Sequence, residues 1–399
     1  MKAFLQHLEG DKAIWAVVAL LALFSFLPVY SASSNLVYVV GNGTTIGHLL
    51  KHGMLLILGF GIIYGMHKIP THYFKGLSII ALPVVILLLI YTLAQGTTIE
   101  GANASRWIHL PVVGITFQTS NLAAVALMIY VARYLSKIRD RRISFKESII
   151  PLWLPVSVIL LLILPANFST AAILFVMVLT LCFLGGYPLK YLIGIVVSGL
   201  AVLALFVLLA KAIPDVFPNR VDTWMSRVES YWDGADGVGD YQIEKAKIAI
   251  ASGGVMGNGA GKSVMKNFLP QSSSDFIYAI IVEEYGLVGG FLLMFLYLLL
   301  LFRIVVVANA NTSVFGKLVV MGVGLPIIFQ ALINMAVAVE LFPVTGQTLP
   351  LISSGGTSIW MTCMAIGVVL SASRNPRMDE EITDKNKEEN PLEVLSGQL

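Results

Sequence analysis

The sequence predicts an all-α polytopic membrane protein with about ten transmembrane helices. Hydrophobic residues make up 57% of the 399-residue chain and charged residues only 12%, whereas soluble domains carry about 25% charged residues. Apolar runs recur at the length that a bilayer requires, roughly 20 residues each. Lys and Arg cluster in every second short connection, as they do in cytoplasmic loops. These observations exclude a soluble enzyme.

Ten apolar segments account for the predicted spans. The first is long for a signal-peptide core and lacks a clear cleavage site, so we expect it to be retained. The fifth is the shortest, and the break at Pro165-Ala166-Asn167 makes it a helical hairpin with the sixth. The segments lie near 13–31, 48–66, 76–95, 117–136, 150–165, 168–186, 189–211, 276–302, 314–339 and 356–373.

Basic residues of the short loops orient the bundle. They follow the second, fourth, sixth, eighth and tenth spans. The short loops that follow odd-numbered spans contain only Arg106. Because Lys and Arg mark cytoplasmic loops, both termini are predicted to be cytoplasmic. The basic residues are Lys68, Lys75, Arg133, Lys137, Arg139, Arg141, Arg142, Lys146, Lys190, Arg303, Lys317, Arg374 and Arg377.

A single transmembrane domain, residues 1–373, is predicted, with one large extracytoplasmic loop before helix eight. This loop covers about 212–275. Helical spacing between 241 and 252 indicates a helix that lies on or dips into the outer membrane face. Residues 374–399 form a polar, acidic cytoplasmic tail that we expect to be disordered. The apolar side of the loop helix carries Ile243, Ala246, Ala249 and Ile250.

The end of the large loop carries a functional signal. A polar, glycine-rich segment that includes Lys262 runs to Asp275, and the chain is apolar from Phe276 to Leu301. An ionisable group at a bilayer face is costly unless it is used, so Asp275 is a functional candidate. Asp is also a favoured helix N-cap, and a capping role stays open as the alternative.

Other polar groups lie at the same predicted face. Arg106-Trp107 precedes span four, Gln118 through Asn121 opens it, and Gln347 through Ser358 leads into span ten. A Trp at the interface is commonly only a membrane anchor, and Ser353-Ser354-Gly355-Gly356 can be a simple turn. Glu283-Glu284 lies inside the membrane, where it must face the bundle interior or a polar cavity.

Together these motifs resemble the SEDS family (shape, elongation, division and sporulation), the polytopic peptidoglycan glycosyltransferases typified by RodA and FtsW. The resemblance covers about residues 13–374. It implies a ten-helix fold that polymerises lipid II, the undecaprenyl-pyrophosphate-linked disaccharide-peptide. The motifs are Tyr241-Gln242, Ala249 through Gly254, Gly257 through Ser263, Leu269 through Ile277, Glu283 through Gly286, and Leu349 through Gly356.

The resemblance also implies roles for residues. The family's essential aspartate falls on Asp275, which we interpret as the catalytic base, and Arg106-Trp107 matches the family's Arg-Trp motif. Arg106, Lys262 and a divalent cation (Mg or Mn) are candidates for the pyrophosphate, without a protein metal site. The expected substrate-binding residues are Arg106, Trp107, Gln118, Lys262, Ser353, Ser354, Gly355 and Gly356.

The chain departs from the family pattern at two places. After Gln118, relatives commonly have Pro-Ser-Glu and then Lys three residues on, whereas this chain has Thr119, Ser120, Asn121 and Ala124. Asn167 stands where an Asp is usual. We therefore assign no catalytic role to Asn121 or Asn167, and the acid–base work falls on Asp275.

By resemblance, we expect a multi-pass protein of the bacterial cytoplasmic membrane. Its expected partners are lipid II, the nascent glycan strand, membrane lipid, a class B penicillin-binding protein transpeptidase and other divisome or elongasome membrane proteins, with no nucleic acid. Thr348 before Leu349-Pro350 favours the division type and a septal location, and an elongation role stays open.

Two other functions stay open. A lipid II flippase would use a polar path through the membrane, for which Glu283, Glu284 and Lys51 are candidates. A non-catalytic divisome scaffold would recruit a transpeptidase only, and the altered Gln-Thr-Ser-Asn motif is compatible with lost activity. Retention of Asp275 and of the glycine-rich loop argues against such a loss.

Overall fold

The computed structural model describes residues 8–38, 43–95, 107–110, 115–139, 141, 143–212, 238–269 and 271–374. This part of the chain is mainly helical. Its helices are α1 (Lys12–Tyr38), α2 (Thr45–His67), α3 (Tyr73–Gln95), α4 (Thr119–Ile138), α5 (Phe145–Ile163), α6 (Phe168–Leu184), α7 (Leu189–Ala212), α8 (Val238–Gly253), α9 (Ile277–Ala310), α10 (Val314–Ala338) and α11 (Ser358–Arg374).

Each of the ten apolar segments falls on one of these helices. Seven helices of the described part are long and apolar enough to cross a membrane, and Phe168–Leu184, Leu189–Leu205 and Ser358–Arg374 are shorter apolar helices. The predicted break between α5 and α6 is present, since residues 164–166 form turns and Asn167 is extended. The protein is therefore an α-helical polytopic membrane protein.

The outer surface of the bundle is apolar, as lipid contact requires. Large apolar side chains with more than half of their surface exposed occur on several helices. Such extensive apolar exposure is unusual for a soluble monomer and marks an interaction surface. Examples are Leu23, Ile57, Leu87, Leu200 and Phe291.

A small β-hairpin departs from the all-α prediction. Strands β1 (Trp107–Leu110) and β2 (Ile115–Gln118) pair antiparallel, with Trp107 opposite Gln118. The aromatic and β-branched residues of these strands favour extended backbone, but each strand has only four residues, too few for a clear pattern. Because β2 extends to Gln118, α4 begins at Thr119, two residues after the predicted start of span four.

Ion pairs tie the ends of three helices together. Asp11 pairs with Arg303 of α9, and Glu9 pairs with Arg374 at the end of α11. The backbone N–H of Asp11 also donates to Ser373 Oγ at 2.9 Å. The start of α1 and the end of α11 therefore lie at the same end of the bundle, and the Asp275 side of α9 lies at the other.

The loop helix predicted from residues 241–252 is confirmed as α8. Ile243, Ala246 and Ala249 are buried, and Ile250 packs against the same cluster. This cluster also contains Phe276 and Ile280 from the start of α9 and Val337 and Ala338 from the end of α10. Helix α8 is thereby held against the ends of α9 and α10 that border the candidate site.

Candidate active site around Asp275

Asp275 lies two residues before α9, at the end of a turn formed by three serines. It is half-buried. The N-cap position of α9 belongs to Phe276, so Asp275 stands one residue before the position that the capping alternative requires. A Cβ placed on Gly346 would lie 3.4 Å from Asp275 Oδ2. Gly346 has a φ of 65°, which glycine adopts readily, and it leaves space beside the carboxylate.

Asn334 of α10 anchors the backbone on both sides of the carboxylate. Its side-chain NH₂ donates to the Asp275 carbonyl and to the Gln347 carbonyl, each at 2.7 Å. Asn334 is 1% exposed. A buried amide that satisfies two backbone carbonyls holds the two loops in one geometry. In the sequence, Asn334 is marked only as an amide inside the apolar run Leu332-Ile333-Asn334-Met335, a weak signal for a functional position.

Ser353 and Ser354 hold the serine turn from the opposite side. Ser353 Oγ donates to the Ser274 carbonyl at 2.6 Å. Ser354 donates to the Ser273 carbonyl twice, from its hydroxyl at 2.9 Å and its backbone N–H at 3.0 Å. The two serines thus position Asp275 through its own loop. Their predicted contact with substrate stays a prediction, as does that of Gly355 and Gly356, which follow them.

A further bridge joins this cluster to α6. Gln347 Nε2 donates to Thr170 Oγ1 at 2.9 Å. The backbone N–H of Thr170 donates to Asn167 Oδ1 at 3.2 Å, which makes Asn167 the N-cap of α6. Asn167, where relatives usually have Asp, therefore serves a helix end that a neutral amide oxygen satisfies well.

The hairpin brings Gln118 and Trp107 to the same cluster. Thr357 Oγ1 accepts from the Gln118 backbone N–H at 3.2 Å and donates to the Thr116 carbonyl at 3.1 Å. Trp107 lies opposite Gln118 in the hairpin. The Gln118 side chain donates to Ser120 Oγ at 3.2 Å and accepts from Asn121. Arg106 lies outside the described residues, so its predicted role stays a prediction.

Beside the altered motif lies a cavity of about 20 Å³. A cavity needs about 10–15 Å³ to hold one water molecule, so this space accepts little more than water. The polar residues of its lining sit at the end of α3, the start of α4 and the cap of α6. The lining consists of Leu89, Thr92, Leu93, Thr119, Ser120, Leu162, Ile163, Ala166 and Asn167.

A second part of the site is the glycine loop, residues 253–263, which inserts into a break in α9. Gly286 has φ 69° and ψ −173°, so the helix is interrupted there. The carbonyls of Glu283 and Glu284 accept from Asn258 and Gly259 at 3.0 and 2.9 Å. In return, Leu287 N–H donates to the Gly254 carbonyl at 2.9 Å. The loop therefore replaces the hydrogen bonds that the helix loses.

Close backbone approach explains the glycines at this junction. A Cβ on Gly253 would collide with the Val282 carbonyl, and one on Gly257 would collide with the Glu284 carbonyl. A Cβ on Gly286 would collide with the Val255 carbonyl. These glycines allow the loop and the helix to exchange hydrogen bonds, and the motifs at 257–263 and 283–286 thereby form one unit.

The acid pair of α9 is buried against this loop, as predicted for acids inside the membrane. Glu283 and Glu284 are each 1% exposed. Glu283 accepts from the Ser263 hydroxyl and from the Val264 and Met265 N–H groups at 2.8 and 3.2 Å. Glu284 accepts from the hydroxyl of Ser31 on α1. Lys262 lies in the loop next to Ser263, and its side chain is exposed.

Among the described residues, no group of three or more His, Cys, Asp or Glu side chains is placed to hold a metal ion. Divalent cations of the Mg type commonly use one or two carboxylates together with substrate phosphates.

The fold and the site define a class: a polytopic membrane protein in which several connecting segments converge on one carboxylate at one end of the bundle. The sequence model of the FtsW/RodA/SpoVE family, described as cell cycle protein, matches residues 11–378. The chain belongs to this family.

Individual relatives agree with that assignment. The probable peptidoglycan glycosyltransferase FtsW of Geobacter sulfurreducens is 31% identical over 373 residues, which cover 91% of this chain and 95% of that protein. The probable peptidoglycan glycosyltransferase FtsW of Enterococcus hirae is 28% identical over 405 residues, with 98% of both chains covered.

Two solved structures share the fold. A chain from a structure that describes the coordination of polymerization and crosslinking by a peptidoglycan synthase complex has a TM-score of 0.71 and 25% identity, covering 92% of this chain and 99% of that chain. The rod shape determining protein RodA of Thermus thermophilus has a TM-score of 0.66 and 25% identity, covering 92% and 98%.

Proposed function

We propose that this protein is a peptidoglycan glycosyltransferase that polymerises lipid II into glycan strands. Its membership of the FtsW/RodA/SpoVE family and the names of its relatives support this activity. The observation that carries the choice of site is the convergence on Asp275. The connection before α9 and the connection between α10 and α11 are hydrogen-bonded to each other, to Asn334 of α10 and to Thr170 at the start of α6, around this single carboxylate.

The bundle is proposed to span the bacterial cytoplasmic membrane ten times, with both termini in the cytoplasm and Asp275 at the outer face. The charge distribution of the short loops supports this orientation. The ion pairs that join residues 9–11 to Arg303 and Arg374 support a common side for the two termini.

The proposed reaction joins two lipid-linked saccharides. The Asp275 carboxylate accepts the proton of the acceptor 4-hydroxyl, whose oxygen attacks C1 of the lipid-linked growing strand. The new C1–O bond forms as the bond from C1 to the pyrophosphate oxygen breaks, with inversion at C1. The pyrophosphate leaves with the electron pair of that bond, still linked to its undecaprenyl chain.

This leaving group is already a stable anion, so it needs positive charge rather than a proton donor. Lys262 is exposed in the glycine loop and is available for that role, and Arg106 is its proposed companion. Preorganised cationic groups lower the barrier where negative charge develops. One carboxylate therefore suffices, in contrast to glycosidases, which use two.

The proposed partners follow from the solved relative that belongs to a peptidoglycan synthase complex of polymerization and crosslinking. We propose that a class B penicillin-binding protein supplies the crosslinking activity for this chain, along with other divisome or elongasome proteins. Relatives named FtsW and Thr348 before Leu349-Pro350 favour the septum. A fluorescent fusion located along the side wall would instead assign an elongation role.

The arrangement of the acid pair bears on the flippase alternative. One oxygen of Glu283 accepts from Ser263 of the glycine loop and the other from Val264, the residue that follows it. Lys51 is exposed on α2. A polar path would require these groups to face a common open channel, and this arrangement favours a role in structure for the acids.

Purified protein with its transpeptidase and lipid II tests the proposal. We expect glycan polymer, measured by gel electrophoresis of labelled lipid II. Transfer of lipid II across vesicle bilayers without polymer would identify a flippase. Neither activity, in a preparation that binds the transpeptidase, would identify a scaffold.

A further inference from the structure

Lys262 lies in a turn whose backbone is held on both sides. The Gly261 carbonyl accepts from Lys266 Nζ at 2.8 Å, and the Lys262 N–H donates to the Gly259 carbonyl at 3.1 Å. On the other side, Ser263 donates its hydroxyl to Glu283 and its backbone N–H to Glu284 at 3.4 Å. The Lys262 backbone is thus fixed while its ammonium group is exposed.

The groups that contact the Glu283 carboxylate within the described residues are hydrogen-bond donors. Oε1 accepts from the N–H groups of Val264 and Met265, and Oε2 accepts from the Ser263 hydroxyl. A carboxylate is an acceptor at every position, so it satisfies all three donors at once. It accepts from the first N–H of the short helical turn Met265–Asn267, which begins three residues after Lys262. The acid pair therefore acts on the loop that carries Lys262.

Glu284 extends this hydrogen-bond network to α1. Its Oε1 accepts from the Ser31 hydroxyl, and Ser31 Oγ accepts from Lys266 Nζ at 3.1 Å. Lys266 also donates to the Gly261 carbonyl. One network thereby connects α1, α9 and both neighbours of Lys262.

We propose that Glu283 and Glu284 are positioning residues, which hold Lys262 so that its ammonium group meets the anionic pyrophosphate of the lipid-linked substrate. This inference rests on the proposed function. Buried carboxylates are costly inside a membrane protein. The donors of residues 263–265 satisfy Glu283, whereas Glu284 accepts through Oε1 from Ser31 and Ser263, and its Oε2 meets no donor among the described residues. The acids touch the loop rather than the reacting atoms, so their effect passes through Lys262.

The test compares kinetic constants for polymer formation from lipid II by the purified protein with its transpeptidase. Lys262→Met lowers kcat/KM by about 10- to 100-fold, mainly through KM, the range for one hydrogen bond to a charged group. Glu283→Ala produces a loss of the same kind. In the double variant, Glu283→Ala adds less than about twofold to Lys262→Met, because residues that act through one contact are not additive.

Glu283→Gln separates positioning from proton transfer. The amide oxygen can still accept from Val264 and Met265, and the amide NH₂ can donate to the Ser263 hydroxyl. We therefore expect Glu283→Gln to keep most of the activity that Glu283→Ala loses. An equal loss in the Gln and Ala variants would overturn the proposal. Multiplying losses in the double variant, or normal activity of Lys262→Met, would overturn it as well.

Asp11→Ala is the matched control for a lost capping carboxylate. Asp11 Oδ1 accepts from the Ala13 and Ile14 N–H groups at 2.9 and 3.0 Å, at the opposite end of the bundle. We expect Asp11→Ala to lower the melting temperature without raising KM.

If Glu283→Ala does not fold, Ser31→Ala is the alternative variant. It removes the link between Lys266 and Glu284, and an unchanged KM would then overturn the proposal. Absence of polymer with the unaltered protein would count against the proposed function instead.

Discussion

At the scale of single residues, the candidate site is built by side chains that donate to backbone carbonyls. Asn334, Ser353 and Ser354 donate to the carbonyls of residues 273–275 or 347. Carbonyls of a loop at a membrane face would otherwise need water, so each of these bonds selects one loop conformation. These bonds hold the loop that carries Asp275, two residues before α9.

Asp275→Asn is expected to abolish polymerisation while leaving the fold intact. The exchange keeps the side-chain size, and Asn is as good an N-cap as Asp. An amide cannot accept the proton of the acceptor hydroxyl, and a general base contributes about 10²–10⁴-fold. The measurement is polymer from lipid II, with a thermal melt of the same sample. Activity within a few-fold of the unaltered protein would show that Asp275 is not the base.

Asn334→Ala is expected to lower both stability and activity. It leaves two part-buried backbone carbonyls without their donor, at no more than about 1–3 kcal/mol each, and frees the Asp275 loop. Misplacement of a reacting group by about 1 Å can cost on the order of 100-fold, so we expect a loss of 10- to 100-fold in kcat.

Asn311→Ala provides the control for Asn334. Asn311 is also buried and donates to two backbone carbonyls, of Val307 at 3.0 Å and Ala372 at 3.1 Å, at the far end of the bundle. We expect a similar fall in melting temperature with nearly normal kcat. Equal losses of kcat in both variants would mean that Asn334 acts only through global stability.

At the scale of elements, the junction between α9 and the glycine loop is the unusual feature. Helix α9 covers 34 residues, about 50 Å at 1.5 Å per residue, and its interruption at Gly286 admits the loop. The sequence predicted an acid pair that faces the bundle interior or a polar cavity, a polar glycine-rich segment and the start of an apolar helix here. It could not predict that the loop enters the helix, since the partners are about 30 residues apart.

Gly286→Ala is expected to disrupt this junction. The residue would be held in a backbone region that costs a non-glycine residue about 1–3 kcal/mol, and its Cβ would collide with the Val255 carbonyl. We expect a lower melting temperature and loss of polymerisation. Gly61→Ala is the control, because nothing lies within 4 Å of its added Cβ. Similar melting temperatures for the two variants would contradict the described junction.

At the scale of the whole molecule, orientation in the membrane depends on the basic loops. A reporter fused near residue 140 is expected to be active in the cytoplasm, and one near residue 235 outside it, because Lys and Arg of short loops remain on the cytoplasmic side. Both positions lie outside the described residues. Alkaline phosphatase and fluorescent protein fusions at each position measure this directly. An external reporter at 140 would reverse the proposed topology and place Asp275 in the cytoplasm.

The sequence by itself determined the membrane class, the ten apolar segments and the loop helix. It also singled out Asp275, whose catalytic role stays a prediction. These features depend on composition, on periodicity and on short motifs, which are local in the chain. The tertiary structure alone decided the hairpin, the bonds from Asn334 to residues 275 and 347, the cap at Asn167 and the hydrogen bonds that hold both neighbours of Lys262. The hairpin and the Asn167 cap join residues that are close in the chain but form no clear pattern in it. The other bonds join side chains to groups of distant segments, and local patterns carry no information about which carbonyl a buried donor will meet.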